Sequence, residues 1–430
     1  MALRPTRRQF LKRTGLASAA ALTAGVWSET VRGASRSVNE KLHIGVIGVA
    51  GRGGDNLRGV SEENIVALCD IDERRLSGAA ADFPAARQYR DYRKLLEQAD
   101  LDAVVVSTPD HTHAIPVVWA LKRGLDVYCE KPLAHSVYEV RQIREWAANG
   151  QAVTQMGTQI HAGDNYRRAV EIVGAGVIGP VSRVHVWQGG GIRPGKRVAS
   201  ATPPAHVDYD LWTGPAPMRP FHESHFHYNW RYWWDFANGQ LGDFGCHYMD
   251  LPYWALDLRY PTSIEARGEK GHDGDNEVPM RMQVDYQFAA RGQQPPVHMT
   301  WYHGGWMPEG AEEFGKSSAV LFEGEHGRLL ADYGSRQIFM TEGRTAATPA
   351  PTIPSSIGHH AEWINACKTR GQTTCNFDYS GALTEAVLLG NVSYRLGGQR
   401  LDWDAENLTA TNCPDAGQFI RREYRQGWTL

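Results

Sequence analysis

The sequence lacks a charge excess of either sign, cysteine motifs and long apolar runs. Its 45 basic and 48 acidic residues leave a formal net charge of −3, whereas a nucleic-acid partner needs a basic field. The six cysteines form no Cys-x-x-Cys pair, so we expect buried thiols, with Cys367 and Cys375 as the most plausible pair if a disulfide forms. After the N-terminal segment, no stretch approaches the roughly 18 apolar residues of a membrane helix. Neither nucleic acid binding nor stable membrane insertion is therefore expected.

The length of the chain predicts more than one domain. At 430 residues it exceeds what one hydrophobic core usually organises, and its 42% hydrophobic content suffices for ordinary cores. From Lys41 onwards predicted strands alternate with predicted helices, and later several strands follow one another. This succession is typical of two separate domains. We divide the chain into residues 1–36, 37–160, 161–380 and 381–430, the last being a helix and tail that pack back on the body.

Residues 1–36 predict an export signal. Arg7 and Arg8 precede Phe10-Leu11-Lys12, and a short, Ala-rich apolar stretch covers residues 16–26. A positively charged start before such a stretch is typical of a signal peptide. The paired arginines resemble the twin-arginine signal, which exports proteins that are already folded. We therefore expect a periplasmic protein.

A glycine-rich turn follows the first strand of the alternating region. Residues 43–48 form a short apolar strand, and Gly48, Ala50 and Gly53 fit a G-x-G-x-x-G fingerprint with alanine in the middle. The first glycine permits a tight turn, the small middle residue lets the backbone approach a pyrophosphate, and the third allows close helix–strand packing. Amides at the helix start then bind the phosphate charge. The pattern predicts a dinucleotide site.

Asp70 ends the second strand, about twenty residues beyond the turn. A carboxylate there accepts hydrogen bonds from the adenosine ribose and repels a 2′-phosphate, so NAD is favoured. Arg74 and Arg75 lie close by in the sequence and leave NADP as the alternative. A structural role for Asp70 as a helix cap is the other interpretation.

Polar clusters follow three further predicted strands. Residues 101–107 run into Thr108-Pro109-Asp110-His111-Thr112-His113, residues 125–129 into Glu130-Lys131-Pro132, and residues 152–156 into Gly157-Thr158-Gln159. Ligands of open α/β sheets bind at the carboxyl ends of the strands, so we expect these clusters to line one site. The Lys131–Pro132 bond is a candidate for the cis form.

Together these motifs resemble the glucose–fructose oxidoreductase, inositol dehydrogenase and MocA (Gfo/Idh/MocA) family. The resemblance is carried by the turn at 48–53, the cluster at 108–113, Glu130-Lys131-Pro132, and Gly242-Asp243 with His247. It covers essentially everything after the signal, and the alanine in the glycine turn is a departure from the fingerprint. The family includes exported members with twin-arginine signals, which is consistent with residues 1–36.

The resemblance implies an α/β Rossmann domain with a parallel sheet, followed by an α+β domain with a large open, mainly antiparallel sheet. Residues 279–288 alternate between apolar and polar side chains, as a half-buried strand does, and further strands are predicted at 181–187, 263–269, 297–302 and 319–323. In relatives the exposed sheet face often forms a subunit interface, so a homo-oligomer is expected. The predicted cofactor-binding residues are Gly48, Ala50, Gly51, Arg52, Gly53, Asp70, Thr108, Pro109, His111, His113, Glu130, Lys131 and Gln159.

Lys131, Asp243 and His247 are predicted to carry the chemistry. Lys131, at a strand end beside the expected nicotinamide, can hydrogen-bond the substrate oxygen and stabilise its changing charge; the alternative is a surface lysine in a turn. Asp243 and His247 are spaced i, i+4, so on a helix they share a face and can touch. Imidazole suits removal of a hydroxyl proton, and Asp243 would orient it or relay the proton. Asp250, further along, is expected to be a structural partner.

An aromatic segment at residues 221–235 precedes this pair. Aromatic faces can stack against the C–H surfaces of sugar rings while polar side chains bind hydroxyls, although core packing accounts for some of the tryptophans. The spacing of its histidines is not sufficient for a metal, and none is expected. The predicted substrate residues, of which Tyr166 is expected to be exposed, are His161, Tyr166, His225, His227, Trp230 and Arg231.

Three functional hypotheses follow. The first is an NAD(P)-dependent oxidoreductase that acts on a hydroxyl of a sugar, polyol or sugar derivative and transfers hydride to a tightly bound nicotinamide. The second is a glycoside hydrolase that oxidises C3 transiently, eliminates the glycoside and re-reduces the product, as some exported relatives do. The third is a cofactor-binding protein without turnover, against which Lys131, Asp243 and His247 argue.

Overall fold

The computed structural model describes residues 40–197 and 201–430, so the predicted signal at residues 1–36 lies outside the described residues. The first of two sheets has six parallel strands in the order β3-β2-β1-β4-β5-β6. The strand order reverses between β1 and β4, and such a reversal leaves a crevice at the carboxyl ends of the strands. The strands are β1 (His43–Ile47), β2 (Asn64–Cys69), β3 (Arg87–Tyr89), β4 (Ala103–Val106), β5 (Asp126–Cys129) and β6 (Thr154–Met156).

Burial explains why most of these segments form strands. Every residue of β4, β5 and β6 is buried, as expected for a parallel sheet that is covered on both faces. The short, polar β3 has no buried residue, and its sequence did not predict a strand. The helices of this part are α1 (Arg52–Gly59), α2 (Glu73–Asp82), α3 (Tyr92–Leu96), α4 (Ala114–Lys122) and α5 (Val137–Asn149).

The second sheet has nine strands in the order β13-β12-β11-β7-β10-β9-β8-β14-β15. Only the β7–β10 pair is parallel among the pairings of the described strands of this sheet. The predicted fold class, a parallel Rossmann sheet followed by a mainly antiparallel one, is confirmed. The strands are β7 (Val181–Gln188), β8 (Ser263–Glu269), β9 (Arg281–Phe288), β10 (Val297–His303), β11 (Ala319–Gly324), β12 (Gly327–Ala331), β13 (Arg336–Met340), β14 (Leu401–Asp404) and β15 (Thr409–Ala410).

One long helix joins the two sheets. The helix α11 (Phe377–Arg395) is almost entirely buried and packs against α5 of the first part as well as against α8 (Gly239–Tyr248) and β8 of the second. Its Glu385 is buried and accepts a hydrogen bond from Arg141 on α5 at 2.8 Å. The helices of this part are α6 (Asp164–Gly174), α7 (Tyr209–Thr213), α8 (Gly239–Tyr248), α9 (Asp250–Ala255), α10 (His359–Thr369), α11 (Phe377–Arg395) and α12 (Gly417–Ile420).

The C-terminal tail returns to the first sheet. Arg422 donates to the backbone oxygen of His111 at 2.6 Å and to the buried carboxylate of Glu139, which also accepts from the hydroxyl of Tyr424 at 2.6 Å. The six cysteines are buried and free, in agreement with the expected thiols. Among the described residues, no helix combines the length and apolar character that a membrane crossing needs.

Candidate functional site

A cleft of about 870 Å³ lies at the carboxyl ends of β1, β2, β4 and β5. Its opposite wall comes from the second part of the chain, namely residues 227–231 and α8. Most of the residues predicted for the site line this cleft: Gly48, Ala50, Gly51, Arg52, Asp70, Thr108, Pro109, Glu130, Lys131, Gln159, His227, Trp230, Arg231, Asp243 and His247.

The glycine turn leaves backbone open to a ligand. Gly48 and Gly51 have φ of +83° and +58°. A Cβ at Gly48 would lie 2.7 Å from the oxygen of Ser107, and one at Gly53 would lie 2.0 Å from the oxygen of Gly48, so neither position admits a side chain. A Cβ at Gly51 would meet nothing within 4 Å. The start of α1 therefore fits a dinucleotide pyrophosphate, with Gly53 acting behind the turn through close packing.

Asp70 lines the cleft beyond the end of β2. Its carboxylate accepts hydrogen bonds from the amides of Val49 at 3.1 Å and Asp72 at 3.0 Å. Burial raises the pKa of Asp70 above its ordinary value, and these bonds and Arg75 oppose that effect. The residue that caps α2 is Asp72, which accepts from the amide of Arg74 at 3.0 Å, so the interpretation of Asp70 as the helix cap is wrong.

Glu130 organises the floor of the cleft. Its buried carboxylate accepts hydrogen bonds from Nε of Arg52 at 3.2 Å, Nδ2 of Asn56 at 2.9 Å and Nε2 of Gln159 at 2.9 Å. Charge-assisted bonds of this kind hold both partners in one geometry. Glu130 therefore positions Arg52 and Gln159 at the edge of the glycine turn.

Lys131 and Asp243 meet in the cleft. The Nζ of Lys131 donates to Oδ1 and to the backbone oxygen of Asp243, both at 2.5 Å, and Nε of Arg231 lies 3.4 Å from Oδ2. Burial raises the pKa of Asp243, but the two positive charges outweigh burial and hold this pKa below its ordinary value. Asp243 is therefore an anion between two cations. The Lys131–Pro132 bond is cis, as the sequence predicted.

His247 lines the cleft one turn after Asp243 on α8. Burial, reinforced by the charge of Lys131, holds the pKa of its imidazole well below the ordinary value, so the ring is neutral. Within the described residues, no hydrogen bond joins His247 to Asp243, and its Nδ1 is buried without a partner. The sequence predicted that the two side chains can touch, but in the described structure the carboxylate of Asp243 is hydrogen-bonded by the ammonium of Lys131 and not by His247.

Asp110 is a residue of the cleft that the sequence analysis did not single out. It begins a short 3₁₀ turn after β4 and is 4% exposed. Burial and the negative charge of Asp243 raise the pKa of Asp110 to about 8, although Lys131 and Arg231 oppose the rise. The sequence cluster at 108–113 contains Asp110, but the residues whose charges influence its pKa, such as Asp243, are remote in the sequence.

The two histidines predicted to bind the cofactor do not line the cleft. The ring nitrogens of His111 lie 3.3 Å from the oxygen of Phe236 and 2.9 Å from the oxygen of Trp212, and burial lowers the pKa of His111 to about 3. The ring of His113 contacts backbone oxygens of both strand-end motifs, at 2.7 and 2.8 Å. His111 therefore joins the two parts of the chain behind the cleft, whereas His113 joins the two strand-end motifs of one wall.

His161, predicted to bind substrate, is buried outside the cleft. Its Nδ1 lies 2.9 Å from the carboxylate of Asp250, and its ring stacks on Trp254 at 4.0 Å between centroids. His161, Asp250 and Cys375 form one group of potential metal ligands in the described chain, and their ligand atoms lie within 4.8 Å of one another. The hydrogen bond accounts for the His161–Asp250 contact, so Asp250 acts as the structural partner that we expected.

Tyr166 and His225 are also buried outside the cleft. Tyr166 is fully buried rather than exposed, and its hydroxyl lies 3.3 Å from the backbone oxygen of His247. Nε2 of His225 lies 2.8 Å from the hydroxyl of Tyr209, and burial lowers the pKa of His225 to about 4. Neither side chain is placed to contact a substrate in this cleft.

The remaining predicted substrate residues lie at different ends of the cleft. Nε2 of His227 lies 3.0 Å from the carboxylate of Asp72, next to the end lined by Asp70. Arg231 lies beside Asp243, and its guanidinium covers the ring of Trp230 at 4.3 Å. The aromatic segment therefore contributes to both ends.

Tyr228 and Tyr333 line the cleft and were not predicted. Tyr228 is half-exposed, and the guanidinium of Arg231 lies 4.6 Å from its ring centre. Tyr333 follows β12 and stacks on Tyr248 at 4.8 Å, with its ring centre 6.3 Å from that of His247. The loop that carries Tyr333 had no sequence signal for a site.

Two family models match the chain. Residues 42–158 match a model described as oxidoreductase family, NAD-binding Rossmann fold, and residues 183–430 match one described as oxidoreductase family, C-terminal alpha/beta domain. The chain resembles inositol 2-dehydrogenase 2 of Saccharopolyspora erythraea, at 33% identity over 34% of this chain and 44% of that protein. It also resembles inositol 2-dehydrogenase of Rubrobacter xylanophilus, at 32% identity over 37% of this chain and 48% of that protein. The matches thus span less than half the length of these relatives.

Solved structures resemble the chain over most of its length. A levoglucosan dehydrogenase in complex with NADH superposes with a TM-score of 0.62 at 14% identity, over 84% of this chain and 99% of that one. An aldose-aldose oxidoreductase from Caulobacter crescentus, complexed with glycerol, gives a TM-score of 0.62 at 15% identity, over 85% of this chain and 100% of that one. At such identities the likeness shows the shared fold.

Proposed function

Because the chain belongs to the Gfo/Idh/MocA oxidoreductase family, we propose that it oxidises a hydroxyl of a sugar, polyol or sugar derivative with NAD. The observation that carries the proposal is the Lys131–Asp243 pair, which lies with His247 in the same cleft as the glycine turn. One cleft therefore unites a dinucleotide site with groups that can bind and deprotonate an alcohol.

The residues of the first sheet fit NAD. Gly48 and Gly53 close the turn, Gly51 leaves open space at the start of α1, and Asp70 lies where a ribose is expected. When bound, NAD accepts the hydride from the substrate carbon. A carboxylate at Asp70 disfavours a 2′-phosphate, which supports NAD over NADP.

Lys131, Asp243 and His247 divide the work on the alcohol. The ammonium of Lys131 donates to the substrate oxygen and stabilises it as its charge changes. Asp243 fixes this ammonium from the opposite wall of the cleft. The neutral imidazole of His247 accepts the hydroxyl proton, for which a deprotonated ring is required.

The second wall of the cleft suits a ring that carries hydroxyls. Trp230 and Tyr228 offer aromatic faces, and Arg231 offers donors beside Asp243. The names of the similar proteins point in the same direction, since they refer to inositol, levoglucosan and aldoses.

A segment that we call the strap, residues 206–238, supports tight cofactor binding. Near Asp70, two backbone hydrogen bonds of 2.9 Å join the strap to the segment after β2. The amide of Glu73 donates to the oxygen of His206, and the amide of Asp208 donates to the oxygen of Ile71. His227 of the strap also contacts Asp72. These contacts join the strap to the edge of the first sheet at the adenosine end of the cleft.

The other end of the strap is joined to the same sheet. His111 contacts the oxygens of Trp212 and Phe236, and Nε2 of His135 lies 2.9 Å from the oxygen of Trp234. Strap residues at 211–212 and 227–231 line the cleft, so a dinucleotide in the cleft would lie against a segment that these bonds hold to the first sheet. We therefore infer that NAD stays bound between turnovers.

Retention of the cofactor supports a second candidate, a glycoside hydrolase that oxidises, eliminates and re-reduces. Such a reaction would leave NAD in its starting redox state after each turnover, so it needs no release of the cofactor. It uses the same lysine, aspartate and histidine.

Export and assembly complete the proposal. The paired arginines at residues 7 and 8 support export to the periplasm by the twin-arginine route. In relatives the exposed face of this sheet often forms a subunit interface, and the partly exposed face of β9 supports a homo-oligomer formed in the same way. Cell fractionation tests whether the protein is periplasmic. Light scattering of the purified protein measures its oligomeric state.

The experiment that tests the function compares two assays on purified protein. Reduction of the bound NAD by myo-inositol, levoglucosan or glucose, seen as NADH absorbance, supports the oxidoreductase. Release of the aglycone from a chromogenic glycoside without added NAD supports the glycoside hydrolase. Purified protein that contains NAD and is active in neither assay contradicts both.

A further inference from the structure

Two carboxyl groups of the cleft, those of Asp243 and Asp110, are influenced by the charge of one lysine, Lys131. Asp243 is bound by Lys131 and lies next to Arg231. Asp110 is almost fully buried, and among the described residues its carboxyl group has no hydrogen-bond donor except its own backbone amide. Since buried carboxylates need compensation, the available cations stabilise one negative charge better than two.

The surroundings of Asp110 decide which carboxyl group is protonated. Burial and Asp243 favour the protonated form of Asp110, whereas Lys131 and Arg231 favour the anion, and the pKa settles at about 8. The charged and titratable groups that influence Asp110 electrostatically are Asp243, Lys131, Arg231, Cys129 and Cys246. Burial raises the pKa of the Cys129 and Cys246 thiols, which are therefore neutral.

His247 is a poor place for a proton to remain. Burial and the charge of Lys131 disfavour its imidazolium form, as the lowered pKa shows. A proton taken from the substrate must therefore move on from the ring. Asp110 is a group of the same cleft with an affinity for a proton near neutral pH.

We propose that Asp110 is the proton-holding residue of this cleft, which stores the proton from the substrate hydroxyl. The inference rests on the proposed function. In the oxidation, the carbon–hydrogen bond breaks and its electron pair leaves with the hydrogen to NAD. The oxygen–hydrogen bond breaks, its proton passes by way of the His247 imidazole to the carboxylate of Asp110, and the carbonyl forms. The reduction reverses these steps.

Infrared difference spectroscopy tests the proposal without any substrate. The wild type, loaded with NAD, should show a protonated carboxylic acid band that disappears with a midpoint near pH 8. The near-isosteric Asp110→Asn protein should lack this band, whereas Asp273→Asn, in an exposed loop, should keep it. If Asp110→Asn does not fold, Asp110→Ser serves the same comparison. A band that titrates identically in the Asp110 variant and the wild type overturns the proposal.

The pH dependence of the reaction gives the second readout. Oxidation needs the Asp110 carboxylate free, so in the wild type its rate should rise with pH through about 8, while reduction should fall. Asp110→Asn should lose this dependence and oxidise about 10²-fold more slowly above pH 8, the range of general acid–base effects. An unchanged pH profile in the variant overturns the inference. A confirmed infrared band without oxidation of myo-inositol, levoglucosan or glucose contradicts the proposed function alone.

Discussion

At the scale of single residues, the site contains buried charged side chains that would be costly to bury without charges of opposite sign beside them. Lys131, Asp243 and Arg231 compensate one another, and each lies close to positions that a substrate can reach. Removing one partner of a buried pair leaves the other charge uncompensated, which is why such groups occur together. The roles of the three side chains can therefore be separated only by variants that leave the others in place.

Replacing Lys131 with methionine should remove the oxidation and keep the cofactor. The substrate oxygen loses its donor, so we expect the rate of hydride transfer to fall by about 10²- to 10⁴-fold. Asp243 keeps Arg231 as a cation, so the fold should be retained. Single-turnover NADH absorbance measures the rate.

The matched control is Lys122→Met, since Lys122 lies at the exposed end of α4 and stacks on Trp146. It should retain full activity. Full activity in Lys131→Met as well would remove Lys131 from the chemistry.

Sequence reasoning placed in the cleft the residues whose position the local backbone determines. Gly48, in the turn after β1, and Lys131, after the end of β5, are such cases. It misplaced His111 and did not find Asp110, since their partners Trp212 and Asp243 lie more than a hundred positions away. The role of an imidazole or a carboxyl group depends on the charges and the burial around it, and these surroundings are known only from the fold.

At the scale of elements, the glycine turn and the strap determine how the cofactor is held. In the proposed function the turn offers backbone to the pyrophosphate, and strap residues such as His227 and Arg231 line the opposite wall of the cleft. Strands with clear alternation, such as β9, were predicted closely. The short strands β12 to β15, at the two ends of the second sheet, were not predicted. Of these, β13 and β15 are the edge strands, and β13 has no buried residue that would give such a pattern.

Replacing Gly53 with alanine should abolish NAD binding. The new Cβ would lie 2.0 Å from the oxygen of Gly48, so the turn must move, and overpacking of this kind lowers the free energy of unfolding by about 1–3 kcal/mol. Fluorescence titration with NADH and urea unfolding measure both effects.

Gly78→Ala is the control for this substitution. Gly78 lies inside α2, a Cβ there meets nothing within 4 Å, and the variant should be more stable by about 0.5–1 kcal/mol. Normal NADH affinity in Gly53→Ala would show that the turn is not the pyrophosphate site.

Replacing His227 with alanine should loosen the strap. The contact with Asp72 is lost, and one hydrogen bond of about 0.5–1.5 kcal/mol corresponds to an increase of roughly tenfold at most in the rate of NADH release. Stopped-flow displacement by excess NAD measures that rate. His43→Ala, at the opposite end of β1 from the cleft, should release NADH at the wild-type rate. Equal release rates in all three proteins would count against retention by the strap.

At the scale of the whole molecule, one cleft lies between the two parts of the chain, and a long helix and a returning tail join these parts. The helix α11 packs against both parts, and Arg422 of the tail binds the backbone at His111, which in turn holds the strap. The succession of parallel and antiparallel sheets followed from the order of strand patterns in the sequence. The strap did not, because its contacts are made largely by backbone atoms of an irregular segment.

The central claim is that Lys131 and His247 meet the reactive end of NAD, and a crystal structure with bound NAD tests it most directly. We predict the pyrophosphate at the amide of Gly51, the adenosine ribose at Asp70, and the nicotinamide ring beside Lys131 and His247. A nicotinamide ring that points away from these two side chains, or no binding in the cleft at all, would contradict the account.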